Sequence, residues 1–311
     1  MIKDNEIKAQ VSPFAIREGE IKVFDGKDGY VSMNQIVHKI DIGHITDVHF
    51  KILDLVNEFE FITSRQIYQI LELKKVELGS QDKLNNKLEQ LVKCKILTRY
   101  YFTSDEGKGI FRVYCMDKMG KYLLTSKEIE TKWQQSDNTK PVEMIKKRLA
   151  GNQTILAYLI KVKAFEGYTV KPAITAKMSA KTFKTAGGAV KLTKNSKTIE
   201  FLFEVIRRNE EWEDRIVEKM RLYKDFYENF VAGDSGFKIR PQLIFVCEDE
   251  LHMKEVFKTI VTNNIEIENL NIYYTTDLRQ NSQTLENTLV EFKLIDGKYK
   301  MEDIEVKLLK G

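Results

Sequence analysis

"SQDKLNNKLEQLVKCKILTRYYFTSDEGKGIFRVYCM", residues 80–116, decides how this chain is read. Its first half has helical periodicity. Leu84, Leu88, Leu91 and Val92 fall on one face, and Ser80 stands after Gly79 where an N-cap belongs. Its second half alternates as two strands, "ILTRYYF" and "GIFRVYCM", joined by "TSDEGKG". The other helix face carries Lys83, Asn86, Lys87 and Gln90, spaced i, i+3, i+4, i+7. An amphipathic, polar-faced helix thus runs directly into a hairpin.

Two helices precede it. Val48, Ile52, Leu55, Val56 and Phe59 mark the first. "TSRQ" opens the second, with Thr63 as cap and Gln66 reaching back, and Ile67, Ile70 and Leu71 form its inner stripe. Three helices and a hairpin over residues 47–124 are the parts of a winged helix-turn-helix. In that arrangement the third helix enters a major groove. Lys83, Asn86, Lys87 and Gln90 supply donors and forked amides for phosphates and base edges. Ser80 and Gln81 sit at its N-terminus, where free amides favour a phosphate. Arg99, Lys108 and Arg112 of the hairpin fall near the flanking backbone. The expected partner is double-stranded DNA. Between Asp47 and Lys118 there are twelve basic and eleven acidic residues. The net charge of that segment therefore does not favour DNA over the alternative, a winged helix that docks a protein.

Around this segment, residues 1–46 read as a β-rich extension, with two extended stretches meeting near Asp25-Gly26 and Asp28-Gly29. Residues 125–140 read as a polar linker, and Pro141 opens a helix with Val142, Ile145, Leu149, Leu156 and Leu159 inside. From there to residue 311 the pattern becomes α/β with a mixed sheet. "KTIEFLFEVI" is nearly continuous apolar and reads as a central strand buried on both faces. A helix striped by Trp212, Ile216, Met220, Tyr223, Tyr227 and Phe230 follows. Then come strand "RPQLIFVC", a helix at 250–263, strand "LNIYYT" and a closing hairpin around Asp296-Gly297. The fold class is α+β to α/β.

Two features of this second half carry chemistry. Residues 171–200 hold seven lysines, Lys181 and Lys184 among them, against the single acid Glu200. That suits a basic loop that follows phosphates, or a solvated lysine-rich hairpin. Glu204 lies inside "FLFEVIRR", where an acid calls for a partner such as Arg207, Arg208 or Lys219. A buried acid at a strand end facing a helical lysine also suits a metal-dependent nuclease centre, which needs further carboxylates to hold Mg²⁺.

Residues 47–275 resemble the plasmid replication-relaxation family. The matching features are the winged helix, "MIKKRLAGNQTILAYL", "VKPAI", "FLFEVIRR" and "EKMRLYKDFYENF" before "RPQLIFVC". The resemblance implies a winged-helix half joined to a half similar to the PD-(D/E)XK nuclease fold. It also implies a site remnant: Glu204, with Lys219 and Tyr223 in a KxxxY arrangement. Where the related pattern has Pro-Asp, this chain has Pro172-Ala173, and the later strand reads Glu204-Val205-Ile206. Only one of the expected acids is present. The expectation is a protein without metal or cofactor that binds DNA in plasmid replication, transfer or transcription control and does not cleave it. A structural ion pair for Glu204 and a packed stripe for Trp212 and Tyr223 are the readings that go with it. The alternative is a divergent Mg²⁺-dependent endonuclease.

Composition bounds the rest. The chain has 311 residues, 31% charged, with a formal net charge of +4. The three cysteines, Cys94, Cys115 and Cys247, are far apart, and His38, His44, His49 and His252 offer no zinc spacing beside them. That excludes a disulfide framework and suits a reducing compartment. No apolar run spans a membrane, and "MIKDNEIKAQ" is no signal peptide. The expectation is a cytoplasmic homo-oligomer with no small-molecule substrate.

Overall fold

The expected helices have stripes of apolar residues to bury, and those that open at Thr63 and Ser80 also have a residue that sets the start. The structure, a computed structural model, shows both. It describes residues 11–104, 107–265, 267, 270–282, 284–296 and 298–310. They divide into two units, 16–156 and the remainder, with the division falling inside one helix.

The first unit runs β1 (Ile21–Phe24), α1 (Met33–Asp41), α2 (Asp47–Phe59), β2 (Ile62–Thr63), α3 (Ser64–Leu73) and α4 (Gln81–Lys93). It continues β3 (Leu97–Ser104), β4 (Gly107–Met116), α5 (Lys118–Ser126) and the start of α6 (Val142–Lys161), whose residues from Ala157 onward belong to the second unit. Ile52, Val56 and Phe59 of α2, Ile67 and Leu71 of α3, and Leu84, Leu88 and Leu91 of α4 are all buried. Burying each such side chain is worth about 1.5–3 kcal/mol, more than the roughly 1 kcal/mol of a helix cap. Packing therefore stabilises the helices, and the caps set where they begin. Thr63 accepts from the Gln66 amide at 3.2 Å while Gln66 Oε1 accepts from the Thr63 amide at 3.1 Å. Ser80 caps α4 by accepting from Lys83 N, and Gly79 before it has φ +79°, a conformation glycine adopts freely.

The four-stranded sheet has the order β1-β3-β4-β2, antiparallel throughout. The two-residue strand between α2 and α3 thus pairs with the far strand of the hairpin. β1 was expected to form a hairpin with its own neighbours. It pairs instead with β3, Ile21 opposite Thr103 and Phe24 opposite Tyr100, and the chain continues into α1. Residues 127–140, expected as a linker, fold back within this unit: Asn138 donates to Met116 O at 3.0 Å and Asn57 to Glu130 O at 3.2 Å. Asp105 and Glu106 of the expected hairpin tip lie outside the described residues.

The second unit runs β5 (Phe165–Thr169), β6 (Ala173–Ala176), β7 (Lys181–Lys184), β8 (Ala189–Lys194), β9 (Lys197–Val205) and α7 (Trp212–Glu228). Then follow β10 (Gln242–Cys247), α8 (Glu250–Thr262), β11 (Tyr273–Thr276), α9 (Asp277–Ser282), β12 (Leu289–Ile295) and β13 (Lys298–Ile304). Seven strands form a mixed sheet ordered β13-β12-β11-β10-β9-β8-β5, parallel across β9, β10 and β11 and antiparallel elsewhere. β9 is central and buried on both faces, as its apolar run requires. Phe201 and Phe203 meet Tyr158 of α6 on one face, with ring centroids 5.9 and 5.0 Å apart. Leu202 packs with Ile216, Met220 and Tyr223 of α7 on the other. Strand alternation puts Glu204 on that α7 face. The closing hairpin forms with Ile295 opposite Lys298, and Gly297 of the expected Asp296-Gly297 pair lies outside the described residues.

Of the two readings of residues 171–200, a basic loop and a lysine-rich hairpin, the backbone follows the second: the stretch is largely strand. β6 and β7 make a separate two-stranded ribbon, Ala173 opposite Lys184 and Ala176 opposite Lys181. Among the described residues, no helix is long and apolar enough to cross a membrane.

Candidate nucleic-acid interface and a buried carboxylate

The outer face of α4 follows from its inner one. With Leu84, Leu88, Leu91 and Val92 buried, the helical repeat turns Lys83, Asn86, Lys87 and Gln90 away from the core. Lys83, Asn86 and Gln90 are exposed and Lys87 is half-buried. Among the described residues, neither lysine ammonium has a carboxylate within 4.0 Å. Gln90 is partly engaged. His49 Nδ1 accepts from Thr46 N at 3.0 Å, so its Nε2 carries the proton and donates to Gln90 Oε1 at 2.8 Å. That leaves the Gln90 amide nitrogen as the outward donor. Ser80 is occupied as a cap, and Gln81 donates to Ser64 O and Asn85 Oδ1 at 3.4 and 3.3 Å.

The hairpin arginines stand differently. Arg99 is only 11% exposed, its Nε 2.9 Å from Asp25 and its Nη1 2.6 Å from Glu89. Arg112 Nε lies 2.9 Å from the same Asp25 oxygen but remains 58% exposed. Asp25 comes from the end of β1, where its amide donates to Arg99 O at 2.9 Å. Arg99 is thus a brace between β1, α4 and β3, and Arg112 keeps an outward edge. Lys108 is placed by its backbone alone, opposite Thr103. Asp25 has no local sequence signal; its role depends on a strand pairing more than 70 residues away.

Glu204 sits at the end of β9 and is 1% exposed. Tyr223 donates its hydroxyl to Glu204 Oε2 at 2.7 Å, and Lys219 Nζ approaches the same oxygen at 2.6 Å. Spaced i, i+4, Lys219 and Tyr223 reach it from one face of α7. Lys219 Nζ also donates to Lys184 O at 3.0 Å. Burial, then the Glu204 charge beside it, push the Tyr223 hydroxyl well above its usual range, so it stays protonated. Thr185 bonds Phe203 O just ahead of Gly187, where a Cβ would come within 2.4 Å of that carbonyl. The group ties β9, α7 and the end of β7 together.

Such a group does not suit a divalent metal. Mg²⁺ needs several hard oxygens, whereas the one carboxylate oxygen described here already carries an ammonium. Among the described residues, no three His, Cys, Asp or Glu side chains are placed to hold a metal ion. Ala173, where the related pattern has an acid, is exposed on β6.

A second polar lattice, not foreseen from sequence, closes the C-terminal ends of the parallel strands. Arg207 makes two bonds of 2.8 Å to Asp277, both residues buried, and Ser12 donates to the same carboxylate. Arg208 binds Asp249 at 2.7 Å and Glu255 at 3.0 Å. His252 is fully buried, its Nδ1 accepting from Glu248 N and its ring edge-on to Trp212 at 5.1 Å. Open α/β sheets keep their ligands at this edge; ion pairs fill it here. "VIRR" and "CED" were the visible signals, but their mates lie 70 and 47 residues from the arginines.

A chain with an outward polar helix running into a hairpin, and a mixed sheet enclosing one acid, belongs among the mixed α+β proteins. Residues 53–237 match the family model described as replication-relaxation, and the chain belongs to that family. The family points to a role in plasmid replication or mobility. No curated protein and no solved structure matches the chain.

Proposed function

We propose that this chain is a sequence-specific double-stranded-DNA-binding protein of a plasmid or mobile element, serving replication, transfer or transcription control without cleaving DNA. Residues 47–124 act as a winged helix-turn-helix: α4 reads the major groove and β3–β4 is the wing. The pairing of β2 with β4 supports the assignment, because the strand between the first two helices then closes onto the hairpin. The observation that carries the reading is the outer face of α4. Among the described residues no acid lies within 4.0 Å of the Lys83 or Lys87 ammonium there, while Arg99 beside them pairs with Asp25 and Glu89. Two such helices on a homodimer would fit a repeated site. The α/β half is a nuclease-like scaffold in which Glu204 is structural.

The test is selection of bound duplexes from random DNA at two salt concentrations, followed by gel shift on the consensus. Asn86→Ala and Lys87→Ala should each weaken specific binding by roughly tenfold or more, as loss of a base or phosphate contact does. Unchanged shifts for both would remove α4 as the reader. No binding even at low salt would favour a protein-docking winged helix. A divergent endonuclease is the alternative, and the ammonium that Lys219 places on Glu204 counts against it. It requires plasmid nicking with Mg²⁺ or Mn²⁺ that Glu204→Ala abolishes.

A further inference from the structure

The β6–β7 ribbon stands apart from the seven-stranded sheet, and one of its faces is fixed. Ile174 and Ala176 are fully buried, and Phe183 lies edge-on to Tyr223 of α7 at 5.0 Å. Its other face carries Thr175, Thr182 and Lys184, all exposed; Lys181, opposite Ala176 beside the turn, is on the anchored side by register and is exposed too. Lys219, itself held on Glu204, donates to the backbone of Lys184. The ribbon is therefore anchored by the very residues that resemble a nuclease remnant.

The turn of the ribbon is held as firmly. Asp225 of α7 accepts from Met178 N at 3.0 Å, Ser179 N at 2.9 Å and Ser179 Oγ at 2.9 Å. Lys177 pairs with Asp234 at 2.6 Å. These contacts use up the two acids beneath the turn. Lys181 and Lys184 then have no carboxylate within 4.0 Å among the described residues. Burial first, and the Lys184 ammonium second, pull Lys171 down to about 8, so Lys171 and Lys184 lie close enough to repel. At the tip, Met178 is 79% exposed. Its amide is fixed by the bond to Asp225, so the exposed side chain stands on a held backbone.

Unneutralised ammonium groups, small and hydroxyl-bearing neighbours, and one projecting apolar side chain are together the chemistry of a minor-groove contact. Lysines there take phosphates and the apolar tip presses on a base step. We propose that the β6–β7 ribbon is a second duplex-contacting element, with Lys181 and Lys184 on phosphates and Met178 set against the minor groove. The proposal rests on the reading of the chain as a DNA-binding protein but not on α4 being the reader. Glu204, Lys219 and Asp225 are positioning residues for the ribbon.

The experiment uses the full chain and an end-labelled duplex carrying the selected site. Affinity is measured across a salt series for wild type, Lys181→Ala/Lys184→Ala, Met178→Ala and Asn86→Ala, with Lys194→Ala/Lys197→Ala as an equal-charge control. Duplex bending is followed by energy transfer between the labelled ends, and circular dichroism confirms that each variant is folded. Loss of two phosphate contacts should lower the slope of log affinity against log salt by about 1.8 in the ribbon pair and leave it unchanged in the control. Met178→Ala should reduce bending with little change in slope. An unchanged slope in the ribbon pair, or an equal fall in the control, overturns the proposal. Unchanged bending in Met178→Ala overturns the groove assignment. If Asn86→Ala loses site preference while the ribbon pair behaves as wild type, only the ribbon falls. If wild type binds no duplex at low salt, both readings fall.

Discussion

On α4, Lys83, Asn86 and Lys87 are answered by no acid among the described residues; beside β9, Glu204, Lys219 and Tyr223 answer each other. Sequence spacing treats Lys83, Asn86 and Lys87 as it treats Lys219 and Tyr223, since each is a set of polar residues at i, i+3 or i+4 on one helix. What separates them is which face the apolar stripe leaves over. In α4 the leucines take the inner face, and the polar set has only water or a ligand to meet. In α7 Lys219 and Tyr223 lie on the face that packs on the sheet, so they must satisfy a buried acid. A buried polar group is held by its neighbours and an exposed one is free for a partner, and the two should respond oppositely to substitution.

The largest effect should come from Glu204→Ala. It leaves the Lys219 ammonium beside the core without its counter-charge and the buried Tyr223 hydroxyl without its acceptor. Breaking such a pair costs about 3–5 kcal/mol. Urea unfolding followed by circular dichroism would measure it. Glu204→Gln, which keeps an oxygen acceptor for the hydroxyl, should cost less. A stability at or above wild type for Glu204→Ala would break the comparison. It would indicate that Glu204 is held for chemistry at the expense of the fold.

Acid should come next, through His252. Burial first, then the Arg208 and Arg207 charges, hold its imidazole down at about 3 from an ordinary 6.5. Below pH 6.5 the unfolded chain gains a proton that the folded chain refuses, so stability is present above that pH and falls as pH drops toward 3. The slope approaches 1.4 kcal/mol per pH unit, or about 2 kcal/mol lost by pH 5. His49, also lowered chiefly by burial, acts in the same direction. His252→Asn should lower stability near neutral pH and shrink the difference between neutral and pH 5 by about 2 kcal/mol. Urea titrations at the two pH values give the comparison. An undiminished acid loss in the variant would place the proton elsewhere.

Asp25→Ala should be smaller and two-sided. It removes the carboxylate shared by Arg99 and Arg112, a partly exposed contact worth about 1 kcal/mol at most. It also frees Arg112 on the hairpin. The variant should bind DNA with a steeper salt dependence than wild type, by about one phosphate contact. An unaltered slope would mean that Arg112 faces no phosphate.

The legibility of the chain follows the range of the interaction involved. Helices α2, α3 and α4 were readable because stripe and cap are local: Thr63 and Gln66 are three residues apart, and Ser80 caps its own helix. β9 was readable from its apolar run. β7 was not, because "KTFK" has a single apolar residue and its strand character comes from pairing with β6. That Arg99 pairs with acids from β1 and α4 is not legible, because nothing local announces that β1 crosses to β3. Lys219 beside Glu204 was readable in outline, since the i, i+4 spacing with Tyr223 is local. That Lys219 also holds the backbone of Lys184 was not, because no sequence pattern marks a carbonyl as an acceptor.

The smallest effect is the one that completes the comparison. Lys83→Ala and Asn86→Ala alter side chains that are exposed and make no ion pair among the described residues. Alanine is also the better helix former, by a few tenths of a kcal/mol. Each variant should therefore unfold within about 0.5 kcal/mol of wild type, while losing affinity for the selected duplex. If either is destabilised by a kcal/mol or more, that side chain belongs to the fold in the way Lys219 does. The outer face of α4 would then no longer be a surface left over for recognition. Near-wild-type unfolding midpoints with weakened binding would instead separate recognition from folding within one short helix.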